Sequence, residues 1–174
     1  MKILITGASG QLGHDCAKIL ATEHTIYPLS LRELDISDRQ QVERILGRIN
    51  PDTVINCAAY TAVDACETDM EQCRRVNSEG PGYLAVSCAD LGARLLHIST
   101  DYVFDGSKPV PEPYSENDLV CPVSDDDLKR PAPRPRNSRL ACLCSEERGF
   151  DPLPDWEDAV DRFLKREQGV VTLS

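Results

Sequence analysis

This 174-residue chain has no apolar run approaching the roughly 20 residues that a bilayer-spanning helix needs, so a transmembrane segment is not expected. Its opening, Met1-Lys2-Ile3-Leu4-Ile5-Thr6-Gly7, is too short an apolar stretch for a signal peptide and meets glycine at once. A cytoplasmic protein is expected. Aromatic residues are scarce, at 5%, and base is outnumbered by acid, 19 to 29, for a net charge of −10. That balance argues against nucleic acid and against an anionic membrane surface as partners. The late arginines Arg130, Arg134, Arg136 and Arg139 have no aromatic residues among them and read as a solvated, charge-balancing segment.

Metal chemistry is poorly supported as well. There are only three histidines, and the eight cysteines do not fall into ligand spacings. Cys142-x-Cys144 has no second pair, and Cys66 and Cys73 stand seven residues apart without a histidine beside them. Cys16, Cys57 and Cys88 lie within apolar patterns, where free cysteine behaves as a small hydrophobe. Reduced thiols without a metal are the expectation.

What is present is an alternation of strand and helix. Lys2–Thr6 is a short β-branched apolar run ended by glycine, a buried strand. Residues 11–22 carry Leu12, Cys16, Ile19 and Leu20 at helical period. Residues 25–29 give a second strand. Ser37 caps a helix over 38–49 with Val42, Ile45, Leu46 and Ile49 on one face. Residues 53–57 form a third strand, and 69–91 a long helix interrupted near Gly80-Pro81-Gly82 and ended by Gly92. Residues 94–99 form a fourth strand. This order predicts parallel βαβ units: an α/β fold, a truncated Rossmann-like doubly wound parallel sheet with a short C-terminal helical tail. After Gly106 the character changes, because seven of the twelve prolines lie between Pro109 and Pro135 and exclude long helices and central strands there. Residues 107–137 read as loop and 139–147 as a short helix. A last helix follows over 155–166, with Trp156, Ala159, Val160, Phe163 and Leu164 as its apolar face. Two domains are expected: a dinucleotide-binding one over 1–124 and a remnant of a substrate-binding lobe over 125–174.

The chemistry concentrates at strand ends. Gly7-Ala8-Ser9-Gly10-Gln11-Leu12-Gly13 follows a strand and opens a helix. A pyrophosphate needs that arrangement, with a tight turn, close backbone approach and donor amides at a helix start. No carboxylate stands where the second strand ends, near Ser30, while Arg32 could meet a ribose 2′-phosphate. The cofactor expected is therefore NADPH, or either of NADPH and NADH. Asp35 and Ile36 lie where the adenine edge would be. Ala58, Ala59 and Tyr60, after the third strand, let backbone run along the cofactor. Ser99-Thr100-Asp101 ends the fourth strand on the same sheet edge, where a hydroxyl could hydrogen-bond a substrate carbonyl.

These segments, with Leu34-Asp35-Ile36-Ser37-Asp38, Asn56 to Asp64, Val76-Asn77 and His97 to Gly106, resemble the extended short-chain dehydrogenase/reductases. Among these they are similar to the dTDP-4-dehydrorhamnose reductase family, and the match runs from residue 1 to about 124. The resemblance implies NADPH or NADH as cofactor, with Asn77 among the cofactor-side residues. It implies a nucleotide-sugar substrate and a role for Thr100 in polarising the sugar's 4-keto oxygen. The tail resembles the family's far end, over 130–140 and 155–159, so the chain reads as a reductase with an internal deletion between Pro122 and Asp127. The family protonates its substrate through a tyrosine whose pKa is lowered by a lysine four residues on. Here Tyr27, Tyr60, Tyr83, Tyr102 and Tyr114 are followed at that spacing by Leu31, Asp64, Ser87, Gly106 and Asp118. Loss of a general acid costs a factor of ~10²–10⁴ in rate, so the alternatives to a reductase are a catalytically inactive nicotinamide-binding or regulatory module and a non-functional deletion product. The deletion also removes a neighbour of the fourth strand. An exposed sheet edge is therefore expected, with a homodimer through that edge or through the tail helix, or the Trp156/Phe163 face packed on the sheet.

Overall fold

The computed structural model describes residues 1–101, 104, 107–109 and 112–115. The loop and helix expectations beyond Ser115, the Trp156/Phe163 face and the 125–174 domain lie outside the described residues. The elements in chain order are β1 (Lys2–Thr6), α1 (Gln11–Leu20), β2 (Thr25–Leu29), α2 (Arg39–Ile49), β3 (Thr53–Asn56), α3 (Val63–Cys66), α4 (Met70–Arg74), a π-helical turn (Arg75–Glu79), α5 (Gly80–Leu91) and β4 (Arg94–His97). No helix among the described residues is long and apolar enough to cross a membrane.

The four strands form one parallel sheet in the order β2-β1-β3-β4. Because strand side chains alternate between faces, the apolar runs divide. Leu4, Val54 and the half-buried Leu95 face a core with Val42, Ile45 and Leu46 of α2 and Leu84 and Cys88 of α5. Ile3, Ile5 and Ile55 face Cys16, Ala17 and Leu20 of α1. Each fully buried aliphatic side chain contributes roughly 1.5–3 kcal/mol, and Leu4, Ile5, Val42, Leu46, Val54 and Leu84 are all buried to that degree. The sheet is therefore covered on both sides at β1 and β3.

Coverage fails at β4. Among the described residues β4 pairs only with β3, and its side chains on the α1 side are bare: Leu96 is 54% exposed, and Ile98 just beyond the strand is 43% exposed. Among the described residues no strand pairs with the outer side of β4. Helix α1 is also less apolar in its contacts than its sequence pattern implies, with Leu12 and Ile19 largely exposed.

Two local expectations are corrected. The cap of α2 is Asp38, whose carboxylate accepts the Gln41 N–H at 3.1 Å; Ser37 turns back instead and donates its hydroxyl to Asp35 Oδ1 at 2.7 Å. Both residues are good caps, and the one in register with the N3 amide takes the role. The 69–91 helix does not break at Gly80-Pro81-Gly82. Asp69 caps α4 through the Gln72 N–H, and the path widens into the π-turn, where the Gly80 N–H reaches Arg75 O. Pro81 then sits in the first turn of α5. Proline has no N–H and its ring collides with the carbonyl four residues back, and the wider turn before it accommodates both defects without ending the helix. Gly92 closes α5 at φ +67°, as its position predicts.

Candidate functional site: a glycine-lined cleft at the carboxyl ends of the strands

The first crossover builds the site. Gly7 takes φ +64°, and a Cβ there would lie 2.7 Å from Ala58 N, inside the backbone that follows β3. At Gly13 a Cβ would fall 2.4 Å from Gly7 O. The turn and the first turn of α1 are thus in direct backbone contact, and only hydrogen at these α-carbons permits it. Gly10 is the N-cap of α1, no side chain caps the helix start, and no acidic residue occupies its first turn. A helix start in that condition offers its amides and its positive dipole end to an anion.

These residues line a cleft of about 560 Å³ at the carboxyl ends of the strands, where open α/β sheets take their ligands. Of the residues expected from sequence, Gly7, Ser9, Gly10, Gln11, Leu12, Asp35, Ile36, Ala58, Ala59 and Tyr60 all line it. Cys57 and Thr61 of the same segment line it too, and sequence reasoning missed Leu31, Leu34, Gln72 and Val76. The last two had a readable signal, since a spacing of four on one helix puts them on one face.

Asn77, Arg32 and Thr100 do not form the cleft wall. Asn77 instead holds a wall residue in place: its Oδ1 accepts the Tyr60 N–H at 2.8 Å, and its Nδ2 donates to Tyr60 O at 3.0 Å. Arg32 is exposed on the turn after β2, which closes through Glu33 N–H to Ser30 O and Leu34 N–H to Ser30 O. Thr100 is exposed past β4 with its hydroxyl 3.4 Å from Asp101 Oδ1. Tyr114 stands apart from the cleft, buried and stacked on Phe104 with ring centroids 4.6 Å apart, its phenol oxygen accepting the Lys108 N–H.

The end of β2 corrects a further expectation. A carboxylate does stand there, because the turn folds Glu33 back onto Ser30: one oxygen accepts both the backbone N–H at 2.7 Å and the hydroxyl at 2.9 Å. Those bonds hold the Glu33 carboxyl below its usual range. Glu33 lies not in the main cleft but in an adjoining hollow beyond Ser9, with His14, Lys18 and Ser30.

Below the cleft floor, Asn56 ties three strands together. Fully buried, its Oδ1 accepts the Thr6 hydroxyl of β1 at 2.5 Å and the Ala58 N–H at 3.2 Å, and its Nδ2 lies 2.9 Å from His97 Nδ1 of β4. This fixes where β3 hands over to the Ala58–Tyr60 wall. Cys57, also on the wall, has its thiol pushed up to about 11, chiefly by burial and then by Cys16. Its proton is therefore held at neutral pH.

The sequence profile of the RmlD substrate binding domain matches residues 1–125. A dTDP-4-dehydrorhamnose reductase of Burkholderia thailandensis is 46% identical over 124 residues, 71% of this chain and 41% of the relative. One of Mycobacterium tuberculosis is 44% identical over 70% of this chain and 40% of the relative. A crystal structure of a dTDP-4-dehydrorhamnose reductase from Clostridium acetobutylicum superposes with a TM-score of 0.67 at 44% identity, covering 70% of this chain and 43% of that one. One from Bacillus anthracis, in complex with NADP, superposes with a TM-score of 0.66 at 40% identity, covering 70% and 43%. The chain thus spans about two-fifths of the length of these relatives. Matched over its first 125 residues, the chain belongs to the RmlD substrate binding domain family.

Proposed function

We propose that this chain binds NADPH or NADH in the glycine-lined cleft, as the cofactor-binding half of a dTDP-4-dehydrorhamnose reductase-like protein of dTDP-L-rhamnose synthesis. The observation that carries the reading is the Gly7–Gly13 cradle, whose contacts leave no room for a Cβ and whose helix start lacks any capping side chain. The donor set fits a dinucleotide. Gln11 and Leu12 offer amides to the pyrophosphate beside Gly10, whose own N–H closes the turn onto Gly7 O; Asp35 and Ile36 border the adenosine end, and Ala58, Ala59 and Tyr60 flank the ribose. When bound, the nicotinamide supplies a hydride. Arg32, exposed on the turn after β2 next to Leu31 of the cleft, is a cation for a 2′-phosphate, which supports use of NADPH as well as NADH.

The substrate of this reading is a dTDP-sugar with a 4-keto group, and Thr100 is the hydroxyl that hydrogen-bonds its oxygen. Within this chain no tyrosine has a lysine four residues on, so turnover falls by the ~10²–10⁴ that a general acid contributes. That same observation favours a second reading: a nicotinamide-binding or regulatory module without catalysis. Residues 125–174 are, in this account, the remnant of a substrate lobe. The bare Leu96/Ile98 edge supports a homodimer in a cytoplasmic protein. Following NADPH oxidation with a dTDP-4-keto-6-deoxy sugar separates the two readings. Slow but Thr100-dependent turnover supports the reductase; none, with NADPH bound, supports the module.

A further inference from the structure

The cleft's lower wall carries a feature that the nicotinamide reading does not use. Cys66 ends α3 and Cys73 lies in α4, and between them residues 67–69 form a turn, with Thr68 N–H and Asp69 N–H both bonded to Ala65 O. The turn places the two thiols close enough for each to act on the other electrostatically. Both sulfurs converge on the clamp that positions the wall: Cys66 Sγ lies 4.0 Å from Tyr60 O, and Asn77 Nδ2, bonded to that same oxygen at 3.0 Å, also reaches Cys73 Sγ at 3.4 Å. Gln72 and Val76, on either side of Cys73 in sequence, line the cleft. Neither thiol is bound in a disulfide.

We propose that Cys66 and Cys73 form a reversible intramolecular disulfide that loosens cofactor binding, a modification site that couples thiol oxidation to the cleft. The coupling rests on the nicotinamide reading; the thiol pair does not. A disulfide bond is about 2.05 Å long, shorter than any thiol–thiol hydrogen bond, so closure draws α4 toward α3. It takes Cys73 Sγ away from Asn77 and shifts Gln72 and Val76 against the wall.

The oxidant is a small disulfide such as oxidised glutathione. One cysteine thiolate attacks it, breaking its S–S bond and releasing one glutathione. The second cysteine attacks the resulting mixed disulfide and expels the other glutathione. The two cysteine protons end on the two glutathiones, and the protein loses two hydrogens. Burial, Cys73 and the carboxylates of Glu67 and Asp69 push the Cys66 thiol up to about 11, so exchange quickens with rising pH.

The test uses the full chain, reduced and then incubated with oxidised glutathione at mildly alkaline pH. A protease cutting after Glu67 and Glu71 separates the two cysteines for mapping of cross-linked peptides by mass spectrometry. The expected result is a Cys66–Cys73 crosslink with loss of two hydrogens, reversed by dithiothreitol and absent in both Cys66→Ser and Cys73→Ala. NADPH affinity should fall by about tenfold on oxidation, within the range of ordinary coupling between sites, whereas in either variant the oxidant should not change it from that variant's own reduced value. Glutathione adducts alone, a crosslink between other cysteines, or a Cys66–Cys73 crosslink with unchanged affinity would overturn the proposal. If the reduced chain binds no NADPH, the nicotinamide reading falls and the coupling with it, while the mapped crosslink still decides the pair.

Discussion

The side-chain amide of Asn77 holds Tyr60 by both backbone groups, 17 residues away, accepting from its N–H at 2.8 Å and donating to its C=O at 3.0 Å. An asparagine amide reproduces the donor and acceptor of a peptide group, so it pairs with an isolated stretch of chain as a neighbouring strand would. The stretch so held, Ala58–Tyr60, is one wall of the cleft. The π-turn that carries Asn77 sets the reach of that side chain.

Replacing Asn77 with alanine removes both bonds. Each is exposed and contributes roughly 0.5–1.5 kcal/mol, so unfolding in urea should show a modest loss of about 1–2 kcal/mol. NADPH affinity should fall further than stability, because the wall loses its register. Asn77→Asp keeps the acceptor and loses the donor, and an intermediate affinity is expected.

Gly13 and Gly47 make a matched pair for the same substitution. A Cβ at Gly13 meets Gly7 O at 2.4 Å, whereas at Gly47, inside α2, nothing lies within 4 Å. Gly13→Ala should abolish cofactor binding and lower the melting temperature, since backbone must move. Gly47→Ala should leave binding unchanged and stabilise by roughly 0.5–1 kcal/mol, the helix preference of alanine over glycine. Thermal melts of both variants check the contrast.

Asn56 is buried with every bond pointing at a different segment: Thr6, Ala58 and His97. Asn56→Ala leaves the Thr6 hydroxyl and the Ala58 N–H without their acceptor, at roughly 1–3 kcal/mol for each buried group stranded. Equilibrium denaturation should show that loss, and it should be larger than for Asn77→Ala.

Thiol titration gives a pH dependence with a definite sign. Cys57 and Cys66 titrate at about 11 in the folded chain against an ordinary 9.0, with burial the first cause in both. A raised folded-state value means that the folded chain holds the proton more tightly. The contribution is fully present below pH 9 and is lost as pH rises toward 11. Urea midpoints measured under reductant across that window should fall, and should fall less when both cysteines are alanine.

Much of this was legible in the chain itself, for identifiable reasons. Strand bounds follow from apolar runs ended by glycine or proline, as at Thr6-Gly7, and helix faces from period, as at Val42, Ile45 and Leu46. The cleft residues were readable because a glycine triplet between strand and helix admits few other uses. The rest depended on three-dimensional register. Ser37 and Asp38 are equally good caps by type, and only the helix phase selects Asp38. Pro81 reads as a breaker until the π-turn before it is seen. Glu33 reaches Ser30 only because the turn after β2 is tight. Cys66 and Cys73 look unrelated in sequence, and the turn between α3 and α4 brings both sulfurs to the Asn77–Tyr60 clamp.

The central claim is that residues 1–101 build a working dinucleotide site without the remainder of a full-length relative. Calorimetric titration of the purified chain with NADPH and with NADH, alongside Gly13→Ala, tests it most directly. Micromolar binding of at least one dinucleotide to the parent chain, absent in the glycine variant, is the predicted result. No heat of binding from either dinucleotide with a chain that is folded by circular dichroism would contradict it.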